Sequence, residues 1–355
     1  MNNIKFDFDD ILIEPEALST IMTRNSINIY NSNNYLPLFT APMDTVINTY
    51  NWKIFENKKI NSIIPRQKDL PIEMLSNNNN WIALGLDQFI KYDSIYNKNE
   101  WKNRKILIDI ANGHMESLHK IIKNFKNKHP EVEIMAGNIA TPHAYELLSN
   151  AGADYIKVGI GFGGACLTSQ QTGIGYPMGS LIKECYDRSK ILDNPAHIIA
   201  DGGFKKYSDI IKALSLGADF VMLGQIFNKS LESCADTYIK NIKHDGWTEP
   251  GEKIDQYSIE IKYAFETGYL ELYKKFRGMS TKNVQKILKP NTKIKTSEGI
   301  IKMNKVEYTL DGWINNFSDY LKSAMSYTNS INLKEFIGQV KYNFISSNSL
   351  ERFKK

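Results

Sequence analysis

An α/β chain folded as a TIM (β/α)8 barrel, with an extended excursion after its eighth strand, is predicted by three observations. Eight short runs of apolar and β-branched residues fall between residues 38 and 224. They are apolar throughout instead of alternating, as strands buried on both faces of a parallel sheet are, and helix-periodic stretches separate most of them. After Gly224, 131 residues (355 − 224) remain, far more than one closing helix needs.

In chain order the runs are LFTAPM (Leu38 to Met43), INSIIP (Ile60 to Pro65), WIALGL (Trp81 to Leu86), KILIDI (Lys105 to Ile110), VEIMAG (Val132 to Gly137), DYIKVG (Asp154 to Gly159), HIIADG (His197 to Gly202) and DFVMLG (Asp219 to Gly224). SLHKIIKNFKNK and AYELLSNAG are two of the helical stretches between them. The step from Val132 to Asp154 is 22 positions and that from His197 to Asp219 is again 22, but Asp154 to His197 is 43, so a long loop of about residues 160–178 is inserted there. Asn77 to Asn80 reads as a surface loop. The excursion covers about residues 241–304 and holds RGMST (Arg277 to Thr281) and SEG (Ser297 to Gly299); LDGWINNFSDYLKSAMSY then supplies the eighth helix. The whole chain, 1–355, is expected to form a single barrel domain.

Barrel chemistry sits at the C-terminal ends of the strands, with phosphate often bound after the seventh and eighth. Those strands end here in Asp201-Gly202-Gly203 and Gly224-Gln225, where glycine lets backbone N–H groups face an anion.

The bulk numbers exclude several functions. Lys+Arg exceed Asp+Glu by 44 to 39, and the basic residues are scattered, so no nucleic-acid partner is expected. No apolar run is long enough for a membrane span, and MNNIKFDFDD lacks the basic and apolar regions of a secretory signal. Cys166, Cys185 and Cys234 are too few for a disulfide framework or a zinc site, which fits a reducing, cytoplasmic setting.

Cys166 is the chemical feature of the long loop. Gly161, Gly163 and Gly164 precede it and Thr168, Thr172, Gly173 and Gly175 follow, so apolar packing does not explain it. A thiol on a strand-end loop is presented as an attacking nucleophile must be. Cys185, inside LIKECY, reads instead as buried and inert.

Together with FDFDDILIEP, APMDTV, DIANGH, IMAGN, IIADGG, GADFVMLG, FRGMS and SEG, the Cys166 loop resembles the IMP dehydrogenase and GMP reductase family over nearly the whole chain. Only fifteen residues, Arg66 to Asn80, separate the second and third runs, so the regulatory insertion usual in the dehydrogenases is absent. The interval from Gly278 to Glu298 is 20 positions and no Arg-Tyr dipeptide occurs, so the dehydrogenases' water-activating flap is not evident. GMST at Gly278 to Thr281 is similar to the reductase form, whereas APMDTV and Arg66 are closer to the dehydrogenases.

The resemblance implies NADPH-dependent conversion of GMP, or a related guanine nucleotide, to IMP and ammonia through a covalent thioimidate. Cys166 is the implied nucleophile, with Thr168 and Glu298 as the proton relay. Asp201 would accept ribose hydroxyls; Gly202, Gly203, Gly224 and Gln225 would hold phosphate; Met279, Ser280 and Lys295, with Gly278 and Gly299 beside them, would hold the base. Cofactor contacts carry over to Thr23, Arg24, Arg66, Asp109, Ile110, Ala111, Ile160, Gly161 and Met279, with Ser323 and Ser326 from a neighbouring subunit of a homotetramer. Carbonyls of Gly161, Gly163 and Cys166 would bind a potassium ion. Gly164, Leu167, Ser169, Gln225, Pro65 and Lys295 depart from the family pattern. The alternatives are an IMP dehydrogenase lacking regulatory domains and a nucleotide-binding pseudoenzyme of the same fold.

Overall fold

The computed structural model describes residues 4–68, 80–240, 251–288, 296 and 299–352. All eight expected strands form: β1 (Leu38–Thr40), β2 (Ile63–Ile64), β3 (Trp81–Leu84), β4 (Lys105–Asp109), β5 (Glu133–Ile139), β6 (Tyr155–Val158), β7 (His197–Asp201) and β8 (Phe220–Leu223). Neighbours pair in parallel from β2 through β8, and β8 pairs with β1. The last seam is closed by a parallel bridge between Phe39 and Asn61, where the Asn61 N–H donates to the Leu38 carbonyl at 3.1 Å and the Thr40 N–H to the Asn61 carbonyl at 3.0 Å. Pro42 and Pro65 lie just past the short ladders of β1 and β2, since proline has no N–H to continue them.

Both faces of the strands are apolar because each packs against something. Phe39, Trp81, Leu107, Met135, Ile199 and Phe220 point into the barrel, whereas Ile82, Ile106, Ile134, Ile156, Ile198 and Val221 join the outer core under the helices. Phe39 meets Trp81, Phe220 and Tyr155 edge-on, with centroids 6.0, 5.1 and 6.3 Å away. Around the barrel, Glu116–Lys128 buries Leu118, Ile122 and Phe125 on one stripe and ends in Lys126 and Lys128, which suit the negative end of its dipole. Pro142–Asn150 starts with proline and is capped by Thr141, whose side chain accepts the Ala144 N–H. The expected eighth helix is Leu310–Tyr327, with Leu310, Trp313, Phe317, Leu321 and Met325 buried.

The excursion is more ordered than a flap, and its sheet begins before residue 241. Strands β9 (Thr237–Ile239), β10 (Lys253–Ile254), β11 (Leu272–Arg277) and β12 (Ile301–Lys305) make an antiparallel sheet in the order β10-β9-β11-β12. Lys274 in β11 is buried with its ammonium donating to the Leu231 and Ser233 carbonyls, each at 2.7 Å. Burial, only partly offset by Cys234 and Glu232, lowers its pKa to about 7. One expectation is corrected: Asn80 is only 2% exposed, walled in where β3 begins, so it is not part of a surface loop; Asn77 to Asn79 lie outside the described residues.

Truncating Phe39 to Ala should cost about 3–5 kcal/mol of unfolding free energy in chemical denaturation, because it empties the centre of the aromatic cluster. Tyr269→Ala, at an 82% exposed position, should change stability by no more than about 0.5 kcal/mol.

Candidate active site at the barrel mouth

A cavity of about 290 Å³ opens at the C-terminal ends of the strands. Its floor is made by residues at or just past strand ends, including Ala41, Asp109, Lys157, Asp201 and Gly224, and Gly278, Met279 and Ser280 reach it from the excursion. Cys166 and Gly163 face the same space, as do Gly202, Gly203 and Gln225. Thiol and glycine corner therefore share one chamber.

Cys166 is half-buried on the loop after β6, and its Sγ lies 3.3 Å from the Thr168 hydroxyl, to which it donates. The loop turns back on itself through a bond from the Cys166 N–H to the Gly163 carbonyl at 2.8 Å, and Thr168 opens the short helix Thr168–Thr172. The excursion holds the loop from the other side. Cys166 makes an antiparallel bridge with Gly299, and the Ile300 N–H donates to the Ala165 carbonyl at 3.1 Å. Cys185 is fully buried in helix Met178–Ser189, where burial pushes its thiol well above the usual range; burial likewise raises Cys234, to about 12. Neither is a competing nucleophile.

Beneath the cavity lies a charge network. Lys157, 3% exposed, places its ammonium 3.0 Å from Asp109 and 3.4 Å from Asp201; Asn138 donates to Asp201 Oδ2 at 2.8 Å. Arg66 Nε stands 3.2 Å from Asp109 Oδ2 but off hydrogen-bonding geometry, so the contact is an ion pair and the buried Nε–H finds no acceptor among the described residues. Register explains the reach of Lys157. Asp109, Gly137 and Lys157 are level across β4, β5 and β6, and a Cβ on Gly137, whose φ is +140°, would meet the Lys157 carbonyl at 2.6 Å. Burial alone would raise the Asp109 pKa and lower that of Lys157; their attraction, with help from Arg66 and Asp201, reverses both directions.

Directly after Asp201, Gly202 and Gly203 take φ of 103° and 87°, and a Cβ on Gly202 would touch the Gly163 N at 3.0 Å. Side chains are thereby excluded where the loops after β6 and β7 meet. The roof is fixed by Arg277 at the end of β11, whose guanidinium takes both oxygens of Asp44. This fork-to-fork pair joins the Gly278–Ser280 turn to the loop after β1.

Several expected residues stand apart from the cavity. Thr168 and Gly299 adjoin Cys166 without lining it, and Ile160 and Gly161 lie in the loop behind. The one-turn helix Arg24–Ser26, capped by Thr23, packs with helix Leu310–Tyr327, which carries Ser323 and Ser326; none of Thr23, Arg24, Ser323 and Ser326 lines the cavity. Glu298 and Lys295 lie outside the described residues. Among the described residues no group of three or more His, Cys, Asp or Glu side chains could hold a metal ion, and no helix is long and apolar enough to cross a membrane.

A half-buried thiol, a carboxylate pair and a glycine-lined corner share one barrel mouth, the end at which enzymes of this fold carry their sites. The family model described as "IMP dehydrogenase / GMP reductase domain" matches residues 99–245. The chain is 33% identical over 258 residues to GMP reductase 2 of Bos taurus, covering 68% of this chain and 73% of that protein. It is 28% identical over 361 residues to the GMP reductase of Caenorhabditis elegans, covering 94% and 90%. To the inosine-5'-monophosphate dehydrogenase of Chlorobaculum tepidum it is 36% identical over 222 residues, 62% of this chain and 41% of that one. The chain belongs to the IMP dehydrogenase / GMP reductase family, a family of oxidoreductases.

Sequence reasoning missed Lys157, Asn138, Phe276 and the Arg277–Asp44 pair. Lys157 carried a usable signal: a lysine within an apolar strand, on the inward side with Tyr155, must find a counter-ion.

Lys157→Met should destabilise the protein by about 3–5 kcal/mol, because it strands two carboxylates. Adding Asp109→Asn should recover part of the loss. The depressed Asp109 pKa means its contribution is complete above the ordinary carboxyl pKa, about 4, and disappears as pH falls through the lower folded value. Denaturation at pH 7 and below pH 4 should therefore show a smaller gap between wild type and Asp109→Asn in acid.

Proposed function

We propose that the protein is a GMP reductase-like oxidoreductase that carries GMP, or a related deoxy or modified guanine nucleotide, to IMP and ammonia at the expense of NADPH. The observation that carries the reading is that Cys166 and the Asp201/Gly202/Gly224 corner face the same cavity. A nucleotide anchored there by its phosphate would bring its purine ring towards the sulfur.

In this reading the Cys166 thiolate bonds to C2 of the purine, and the C2–N bond breaks as the exocyclic nitrogen leaves. Thr168, whose hydroxyl is 3.3 Å from the sulfur, relays a proton to that nitrogen with Glu298. A nicotinamide cofactor held against Arg66, Ile110 and Ala111 would supply the hydride, which would take the place of sulfur at C2 and return Cys166 to its thiolate. The sum consumes GMP, NADPH and two protons and yields IMP, ammonium and NADP. Asp201 already takes Asn138 and Lys157 on Oδ2, so Oδ1 is assigned to the ribose hydroxyls. Burial of an Arg66 N–H without an acceptor, beside Ile110 and Ala111 on the cavity wall, suits a bound cofactor carrying oxygen acceptors. Thr23 and Arg24 are kept as cofactor contacts, and Ser323 and Ser326, on helix Leu310–Tyr327 and away from this chain's own cavity, are assigned to a neighbouring subunit's cofactor in a homotetramer. The carbonyls of Gly161, Gly163 and Cys166 belong to one turn, and oxygen donors of this kind suit a potassium ion.

A second reading, an IMP dehydrogenase without regulatory domains, is favoured by the 36% identity to the Chlorobaculum enzyme. Mixing protein with GMP and NADPH separates the two. Loss of NADPH absorbance with formation of IMP is expected; NADH formation from IMP and NAD, without GMP reduction, would select the alternative. Cys166→Ala should abolish turnover with an unchanged circular dichroism spectrum, and Thr168→Val should lower kcat by roughly 10²-fold.

A further inference from the structure

The glycine corner has an occupant that neither the strand ends nor the loop glycines explain. The Gln225 side chain crosses the space above Gly164: a Cβ placed on Gly164 would lie 2.0 Å from Gln225 Oε1. Any side chain at position 164 would therefore displace Gln225, and the two positions form a matched pair. The same Oε1 accepts a hydrogen bond from the Lys302 ammonium at 3.1 Å, although the two residues are 77 apart in sequence. Lys302 belongs to β12 and is half-buried, with its ammonium 5.6 Å from the centroid of Phe276, a ring that lines the cavity with Gln225 and Gly164. A lysine on an edge strand ordinarily reaches into water, but this one turns inward.

We propose that Lys302, steered by Gln225 on the cavity wall, is a cationic ligand for the substrate's phosphate, so that this chain grips the anion by a full charge at a corner lined by glycines and by Lys205. The inference rests on reading the Gly202–Gly224 corner as the phosphate end of the nucleotide site. Burial and the neighbouring Lys229 both lower the Lys302 pKa, and no carboxylate among the described residues contributes to it. A bound dianion would relieve both penalties. Gln225 holds the ammonium through its carbonyl oxygen, which orients the amide nitrogen as a second donor beside it.

The test is calorimetric titration of the intact protein with GMP, with guanosine and with inorganic phosphate, in wild type, Lys302→Gln and Lys302→Arg. Lys305→Gln, on the same strand as Lys302 but with its parent ammonium paired to Glu271 just before β11, serves as the surface control. Lys302→Gln should weaken GMP binding by roughly 10- to 100-fold, flatten its salt dependence and leave guanosine within about twofold. Lys302→Arg should recover most of the affinity, with Lys305→Gln near wild type. Thermal melting of each variant establishes that it is folded. Unchanged or tighter GMP binding in folded Lys302→Gln would overturn the assignment, as would wild type binding neither GMP nor phosphate. Lys302-dependent nucleotide binding without NADPH-coupled turnover would instead sink the reductase reading and leave the phosphate ligand standing.

Discussion

A lysine ammonium buried between two carboxylates is the constraint on which the mouth of this barrel depends. Lys157 lies level with Asp109 across β5 and reaches Asp201 at the end of β7. An ion taken from water into such a place is costly unless its partners are held in position. Here rigid strands hold them, and Gly137 keeps the path open between β4 and β6. Because Asp109 and Asp201 both line the cavity, the same network fixes two walls of the candidate site before any ligand arrives.

The remaining parts of the site are brought to that floor by longer connections. The thiol hangs on the loop after β6 and is clasped by the excursion through the Cys166 bridge to Gly299. The excursion is itself anchored by Arg277 to Asp44. The Cys166 loop and the roof turn thus come from separate parts of the chain and are tied in place by directional polar contacts, and the glycine corner stands directly on the strand ends. Such preorganisation is what the proposed covalent chemistry would require.

The strands were legible because each is apolar on both faces, a pattern that only a doubly covered parallel sheet explains; all eight runs contain a barrel strand. The eighth helix was equally plain, since Trp313, Phe317 and Leu321 fall on one stripe. Cys166 stood out because glycines crowd the loop on both sides of it. What could not be read depended on distance along the chain. Lys302 and Gln225, or Arg277 and Asp44, are meaningless as single residues and acquire a role only when the excursion sheet folds back over the mouth. Asn80 was misread because a polar run suggests solvent, whereas the start of β3 packs its last residue inside. The packing of the one-turn helix Arg24–Ser26 on the last barrel helix was likewise hidden, because the two lie near opposite ends of the chain.

The central claim is that one sulfur at this mouth bonds to C2 of a purine whose phosphate is seated in the glycine corner. It is tested most directly by mixing the protein with 2-chloro-inosine 5'-monophosphate, in which a thiolate can displace chloride from C2, and measuring the intact mass followed by peptide mapping. The account predicts a single nucleotide increment on Cys166, suppressed by excess GMP, with Cys185 and Cys234 unmodified. No increment, or one carried by either other cysteine, would contradict it.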